Sequence, residues 1–367
     1  MVQKCLKERL LPDLLSGADG ENWSLRRKEL LKTLSEEVYG VTPEFDTELY
    51  SYVEVREEEA FGGKAVSEWI RLSFMTPNGM YSFPFQLLLP KIEGPLPAFV
   101  HIAFQQKEQI SLQPAGLNEY MPVEEVLDRG YAVANLFYED VTSDTPERDG
   151  LALAYPCDGG SAWGKLGMWA FAASRIMDYL LTRGEIDGTR VAVGGWSRLG
   201  KTALWCGAQD ERFSLVISTE SGCSGAALQR GKKGETVRDI TSRFGYWFCP
   251  AYAGYGDKEN EMVFDQHFLL ACIAPRALFV GSAEEDLWAD PESEFLGAVA
   301  ASEAYHLLGE SGIVMPGGDP MAVPEAFPEP DQMLLEGRIG YMMRRGGHGM
   351  SRTDWLAHMM FREMHGA

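Results

Sequence analysis

No apolar run in this chain approaches the roughly 18 residues that a membrane-spanning helix needs, so a membrane is not expected as its partner. The opening residues MVQKCLKERLLPDLL also lack the apolar stretch of a secretory signal, and the chain is expected to be cytoplasmic unless an export signal has been trimmed. Positive charge is scarce. Lys and Arg number 33 against 54 Asp and Glu, a net charge of −21. A field of that sign argues against nucleic acid and anionic lipid as partners. The six cysteines, Cys5, Cys157, Cys206, Cys223, Cys249 and Cys272, form no C-x-x-C pair and no zinc spacing. They are expected to be free, mostly buried thiols of a reducing compartment, and no metal or cofactor is expected. Internal repeats are absent too.

What remains is ordinary globular composition over 367 residues, 45% of them hydrophobic. The spacing predicts a helix over 24–38, then strands over 46–58, 64–75 and 80–90 as an antiparallel meander with a turn at Pro77-Asn78-Gly79. Buried strands follow over 97–104 and 131–137, and a helix over 162–183 with Leu166, Trp169, Ala173, Ile176 and Leu180 on its apolar stripe. The pattern then alternates: strand 190–195, helix 199–209, strand 213–219, helix 264–272, strand 276–282, helix 292–308, strand 339–344, and a last helix starting near Ser351. Such alternation implies an α/β fold, a mostly parallel sheet with helices on both faces and antiparallel strands at its N-terminal side. One domain is expected, with 1–90 as N-terminal helix and antiparallel strands and 91–367 as core. The proline-rich stretch 310–336 is read as a surface excursion of that core.

The most informative stretch is Val191–Thr202, VAVGGWSRLGKT. It admits two readings. A serine on a sharp strand-to-helix turn is a nucleophile elbow, which makes Ser197 the candidate nucleophile. The same residues fit the phosphate-cradling pattern G-x-x-x-x-G-K-[ST] through Gly195, Gly200, Lys201 and Thr202, which would make a nucleotide-binding protein. About 190 residues and several strands precede this loop, and Trp196 and Arg198 are bulky for a phosphate cradle. Downstream, Gly346-Gly347-His348-Gly349 follows the last strand and Glu284-Glu285-Asp286 the one before it. That is the chain order serine, acid, histidine of an α/β-hydrolase, so the elbow reading leads. It departs from strict G-x-S-x-G, because Leu199 replaces the second glycine and Gly200 comes one later.

Several blocks together resemble the glucuronoyl esterases, in the bacterial branch of carbohydrate esterase family 15. They are Trp163–Ala170, Arg190–Trp205, Glu220–Ala227, Gly234–Val237, Trp247–Cys249, Asp265–His267, Ala274–Arg276 and Glu284–Pro291, with Ser197-Arg198-Leu199-Gly200-Lys201 matching the family's S-R-x-G-K. The resemblance implies an α/β-hydrolase fold and a metal-independent serine carboxylesterase acting on a glucuronic acid ester of a small carbohydrate or oligosaccharide. Deacetylation of acetylated xylan or sugars is the nearest alternative. The resemblance makes Ser197 the nucleophile, His348 the general base and Glu220 or Asp286 the acid, with Arg198 aimed at the oxyanion and Lys201, Glu235 and Trp288 at the sugar. Plainer roles compete. Glu220 could bond only backbone, Asp286 could cap a helix, Glu235 could cap a helix or pair with Lys232 or Lys233, and Trp288 could be core. His101, His267, His306, His358 and His365 are read as structural. Two departures border the pocket: Trp196, where the family commonly has Cys or His, and the loop His101–Gln105.

Overall fold

The computed structural model describes residues 1–105, 120–156, 159–160 and 162–367. Cys157 lies outside them; the other five cysteines are unpaired, Cys5 partly exposed and four buried. Ten strands form one sheet: β1 (Leu49–Glu59), β2 (Ala65–Thr76), β3 (Gly79–Pro90), β4 (Leu96–Ala103), β5 (Ala132–Phe137), β6 (Ile186–Trp196), β7 (Leu215–Thr219), β8 (Ala277–Ala283), β9 (Met333–Leu334) and β10 (Ile339–Arg344). Their spatial order is β1-β2-β3-β5-β4-β6-β7-β8-β10-β9. The run from β5 to β10 is parallel throughout. Antiparallel pairs occur only at the margins, with β1, β2 and β3 at one side and β9 at the other.

The alternation of side chains explains the layers. In β6, Val191 and Val193 join one core while Ala192 joins the other, and in β8 Leu278 and Val280 oppose Phe279 in the same way. A strand apolar on both sides must be covered on both sides. Helices Trp23–Leu34, Lys165–Leu180, Arg198–Gln209 and Pro291–Leu307 cover the first face, and Arg352–His365 covers the second. The result is a three-layer αβα sandwich whose parallel strands all end at one edge. The loops after β6, β7, β8 and β10 therefore converge there, the usual place for a site in such sheets.

The expected strands are present within a few residues of their predicted bounds. The last helix begins after Ser351, whose hydroxyl accepts from the Asp354 N–H while Asp354 reaches back, a capping box. The helix expected over 264–272 shrinks to His267–Ala271. Its first turn is lost because the Asp265 carboxylate is engaged with the N–H groups of Gln229 at 2.7 Å, Gln266 at 2.7 Å and Arg230 at 3.1 Å. Helix Val237–Phe244 was not expected, although Thr236-x-x-Asp239 is itself a capping-box signal. The stretch 310–336 returns to the sheet through β9 and packs Phe327 on Phe295, ring centroids 5.5 Å apart.

The helix that follows Ser197 lies hard against β7. A Cβ at Gly207 would come within 2.1 Å of Val216 Cγ2. Alanine gains about 1 kcal/mol in helix propensity over glycine, but overpacking costs typically about 1–3 kcal/mol. Gly207→Ala is therefore expected to lower the urea midpoint at unchanged slope. A midpoint equal to or above that of the parent would contradict this packing.

Candidate active site

Ser197 sits between β6 and helix Arg198–Gln209 with φ 57° and ψ −127°, a strained backbone for a residue with a side chain. Its N–H donates to the Thr219 carbonyl at 2.8 Å, and its own carbonyl accepts from Gly200 at 2.9 Å. The turn closes so tightly that a Cβ on Gly195 would lie 2.4 Å from the Leu199 carbonyl oxygen. Gly200 in turn lies against Ser218 and Ser221, where a Cβ would meet both at 3.1 Å. The close approach of helix to strand is thus made by Gly200, while Leu199 is buried in the core. That accounts for the displaced second glycine.

His348 Nε2 lies 3.1 Å from Ser197 Oγ. Its Nδ1 faces two carboxylates, Asp286 Oδ2 at 2.6 Å and Glu220 Oε2 at 3.1 Å. In the neutral ring the proton therefore belongs on Nδ1, and Nε2 is left to accept from the serine. Both acids named from the sequence are present, and they differ in surroundings. Asp286 also accepts from the Ala289 N–H at 3.2 Å; the cap of the next helix is Asp290, so Asp286 is not a helix cap. Glu220, at φ 48°, is fully enclosed. It accepts from Arg344 Nη2 at 2.6 Å, from the Gly349 N–H at 2.7 Å and from Trp196 Nε1 at 3.3 Å. It thus holds the histidine loop as well as the ring. Burial disfavours the imidazolium, yet the hydrogen bonds and charges of Asp286 and Glu220 outweigh that and push His348 up to about 9. Burial opposes ionisation of Asp286 too, but its bond to His348 keeps the carboxyl below its ordinary value.

The second group of residues is arranged differently. Arg198 pairs with Asp144, and its guanidinium lies 4.8 Å from the Trp247 ring centroid and 5.4 Å from that of Phe104. Its Nε is buried without a partner among the described residues. Asp144 is held in turn by Trp247 Nε1 at 2.6 Å and by the Tyr246 hydroxyl at 3.1 Å. Lys201 is 5% exposed and its ammonium donates to the Ser221 carbonyl. Burial lowers its pKa, with the charge of Glu235 opposing. Glu235 is nearly buried and does not cap the helix that follows, whose cap is Thr236; Lys233 pairs with Glu292 instead. Trp288 is half exposed rather than core.

Trp196 and Phe104, the latter within the departing loop His101–Gln105, touch one another with ring centroids 4.9 Å apart. The Trp196 ring also lies 4.9 Å from that of His348. Two separate sequence oddities are therefore one aromatic contact beside the imidazole. Four of the five histidines read as structural have hydrogen-bond partners outside the serine–histidine–acid group, while His306 Nε2 has none among the described residues. His101 bonds Asn135 at 3.0 Å, His358 bonds Thr219 at 3.3 Å, and His267 and His365 bond the carbonyls of Pro12 and Leu335. Asp144 and Arg344 were missed by the sequence reading, and Trp247 was named only as part of a resemblance block, with no role at the site.

The phosphate-loop reading of Gly195–Thr202 is overturned. The turn leaves no hollow for phosphate, Lys201 is bound to a backbone carbonyl, and Thr202 Oγ1 donates to the Arg198 carbonyl at 3.0 Å. Among the described residues, the side chains gathered as cation ligands would be are Glu220, Asp286 and His348, with ligand atoms within 4.8 Å of one another. That group is the hydrogen-bonded set already described.

A family model for fungal glucuronyl esterases matches residues 75–309. Carbohydrate esterase MZ0003, from an unknown prokaryotic organism, is 34% identical over 396 residues, covering 97% of this chain and 89% of its own. The chain belongs to the glucuronoyl esterase family. Within that family, the 4-O-methyl-glucuronoyl methylesterase of Podospora anserina is 28% identical over 78% of this chain and 57% of its own length. A glucuronoyl esterase from Solibacter usitatus has a matching structure, TM-score 0.84 at 33% identity, covering 97% of this chain and 98% of that one. A promiscuous family 15 esterase from a marine bacterial metagenome matches with TM-score 0.84 at 32% identity, over 97% and 96% of the two chains. The α/β-hydrolase fold expected from the sequence stands.

An imidazole between two carboxylates should titrate well above the ordinary value near 6.5. The His348 ring signal, followed by NMR against pH, is expected to show a midpoint close to 9. A midpoint at or below 6.5 would mean that the carboxylates do not engage Nδ1 in solution.

Proposed function

We propose that this chain is a serine carboxylesterase that cleaves the ester of a glucuronic acid unit, with Ser197 as nucleophile, His348 as general base, and Asp286 and Glu220 sharing the role of acid. The observation that carries the proposal is the continuous hydrogen-bonded path from Ser197 Oγ through His348 to two carboxylates, in a chain of the glucuronoyl esterase family.

A serine hydroxyl is a weak nucleophile until a base removes its proton. In the proposed reaction Ser197 Oγ attacks the ester carbonyl carbon as His348 Nε2 takes the hydroxyl proton. The tetrahedral intermediate collapses, His348 returns that proton to the departing alcohol, and the acyl group stays on Ser197. Water attacks the acyl-enzyme with the same base, and the uronate leaves. The negative oxygen formed on the way needs donors fixed in advance. The start of helix Arg198–Gln209 supplies backbone N–H groups at the positive end of its dipole. The Arg198 Nε–H is a second donor, buried and unpartnered among the described residues, while Asp144 and the aromatic rings hold the guanidinium in place. Removing one such donor typically costs about 10²–10³ in rate.

Lys201, Glu235 and Trp288 are proposed as ligands for the sugar hydroxyls and ring. The half-exposed indole of Trp288 supports that role directly. Lys201 has three donor hydrogens, of which the Ser221 carbonyl accepts one. The neutral ester is not repelled by a chain of charge −21, whereas the released uronate is, which favours product release.

Two measurements test this reading. Purified protein is expected to hydrolyse methyl and benzyl glucuronate, and Ser197→Ala to abolish the activity; rapid release of acetate from acetylated xylan with no uronate ester cleaved would establish the deacetylase alternative. Loss of a sole triad acid costs roughly 10⁴ in kcat. With two carboxylates on Nδ1, Asp286→Asn and Glu220→Gln should each cost less than that, Asp286→Asn the more, and the double variant more than the two singles combined. A full 10⁴-fold loss in one single variant, with the other unaffected, would assign the role to one acid alone.

A further inference from the structure

The two acids on His348 come from separate loops, and a third carboxylate joins those loops from beneath. Glu294 lies in the first turns of helix Pro291–Leu307 and is fully buried. Its Oε1 accepts from the Gly222 N–H at 2.8 Å and its Oε2 from the Ser282 hydroxyl at 2.7 Å. Gly222 belongs to the loop that opens with Glu220, and Ser282 to the strand whose loop carries Asp286. Gly222 has φ +52°, and a Cβ there would lie 2.9 Å from the Ala289 Cα. That loop therefore has no side chain of its own at this position to pin it, and the Glu294 carboxylate does so.

We propose that Glu294 is a positioning residue for the esterase reaction, tying the Glu220 loop to the Asp286 strand so that both carboxylates meet His348 Nδ1. The proposal rests on the reading of Ser197 and His348 as nucleophile and base.

Glu294 also bears on the imidazole through its charge. Burial pushes its carboxyl up to about 7, the bonds from Gly222 and Ser282 oppose this, and the charges of Glu220 and Asp286 add to it. The charged and titratable groups facing it from the packed elements are Glu220 after β7, Asp286 after β8, Lys201 on the nucleophile helix and Tyr341 on β10, with Asp290 at the start of its own helix. Ionised, Glu294 adds negative charge beside Glu220 and Asp286, the two carboxylates on His348 Nδ1, and so favours the imidazolium from one carboxylate further away. Protonated, it can still accept from Gly222 while donating to Ser282, so the tie survives and only the charge is lost.

Glutamine at this position keeps the shape and removes the charge at every pH. In Glu294→Gln the His348 midpoint, read by NMR, is expected to fall. The acid limb of kcat/KM for p-nitrophenyl acetate should move to lower pH by the same amount, with KM within twofold. Ser282→Ala keeps the charge but breaks one bond of the tie, so kcat should fall roughly ten- to hundredfold, the cost of slight misplacement. A His348 midpoint in Glu294→Gln equal to that of the parent, or parental kcat in Ser282→Ala, would overturn the proposal; if Glu294→Gln does not fold, Ser282→Ala decides alone. The NMR midpoint can be read whether or not the protein cleaves any ester. The acetate ester needs only Ser197 and His348, so an error about the uronate substrate would show separately in the ester panel.

Discussion

The site depends on one constraint: two carboxylates must share one imidazole nitrogen without driving each other apart. Glu220 and Asp286 both reach His348 Nδ1, within 3.1 Å and 2.6 Å. Like charges so close are unfavourable unless each is compensated. Arg344 compensates Glu220. It ends β10, donates to Glu220 at 2.6 Å and to Asp354 at 3.0 Å, and bonds the Gly347 carbonyl at 2.9 Å. One guanidinium thus neutralises an acid, anchors the last helix through Asp354 of its capping box and shapes the loop that presents the histidine. Its rigid fork suits it to all three partners at once. The Gly349 N–H adds a neutral donor to Glu220, and the imidazole itself carries positive charge when protonated.

The surroundings of His348 also explain how this chain differs from its family. Trp196 stands directly before Ser197, and its ring lies beside both Phe104 and the imidazole. Its indole N–H reaches Glu220. An aromatic ring at this position therefore does two things: it packs beside the imidazole, and it adds a donor to the buried acid. Phe104 fits against it from the end of β4 and also lies under the Arg198 guanidinium. Arg198, pinned between Asp144 and Trp247, is held rigid by groups about fifty residues away in either direction along the chain. Rigidity of that kind matters because a charged donor helps only if it need not reorganise as charge develops.

Much of the architecture was legible in the sequence, for identifiable reasons. Buried parallel strands carry apolar residues on both faces, so 190–195 and 276–282 stood out without ambiguity. Ser197 was legible because a strand, two glycines and a helix start surround it. His348 was legible because glycines flank it just after the last strand. The short helices Val2–Arg9 and Val237–Phe244 were not, since each offers too few turns for a 3.6-residue period to register. Asp144 and Arg344 carry no local mark, and their meaning arises only from partners brought in by other strands. The apparent phosphate loop misled because it is a pattern of residue types, and Gly195, Gly200 and Lys201 are present here for tight packing and a buried backbone contact instead.

By itself, the sequence determined the fold class and the candidates Ser197, His348 and Asp286, because these follow from periodicity and from the order of loops along the chain; Glu220 joined them through the family resemblance. Only the tertiary structure decided that both acids serve the same nitrogen. That depends on β7, β8 and β10 lying side by side, so that loops more than sixty residues apart in the chain end within hydrogen-bonding reach. It also decided that Lys201 is buried against a carbonyl, that Arg198 is caged by Asp144 and aromatic rings, and that Glu294 ties the two acid loops together. Hydrogen bonds act over about 3 Å, and no local pattern in a chain can specify which distant groups will stand at that distance once the sheet has formed.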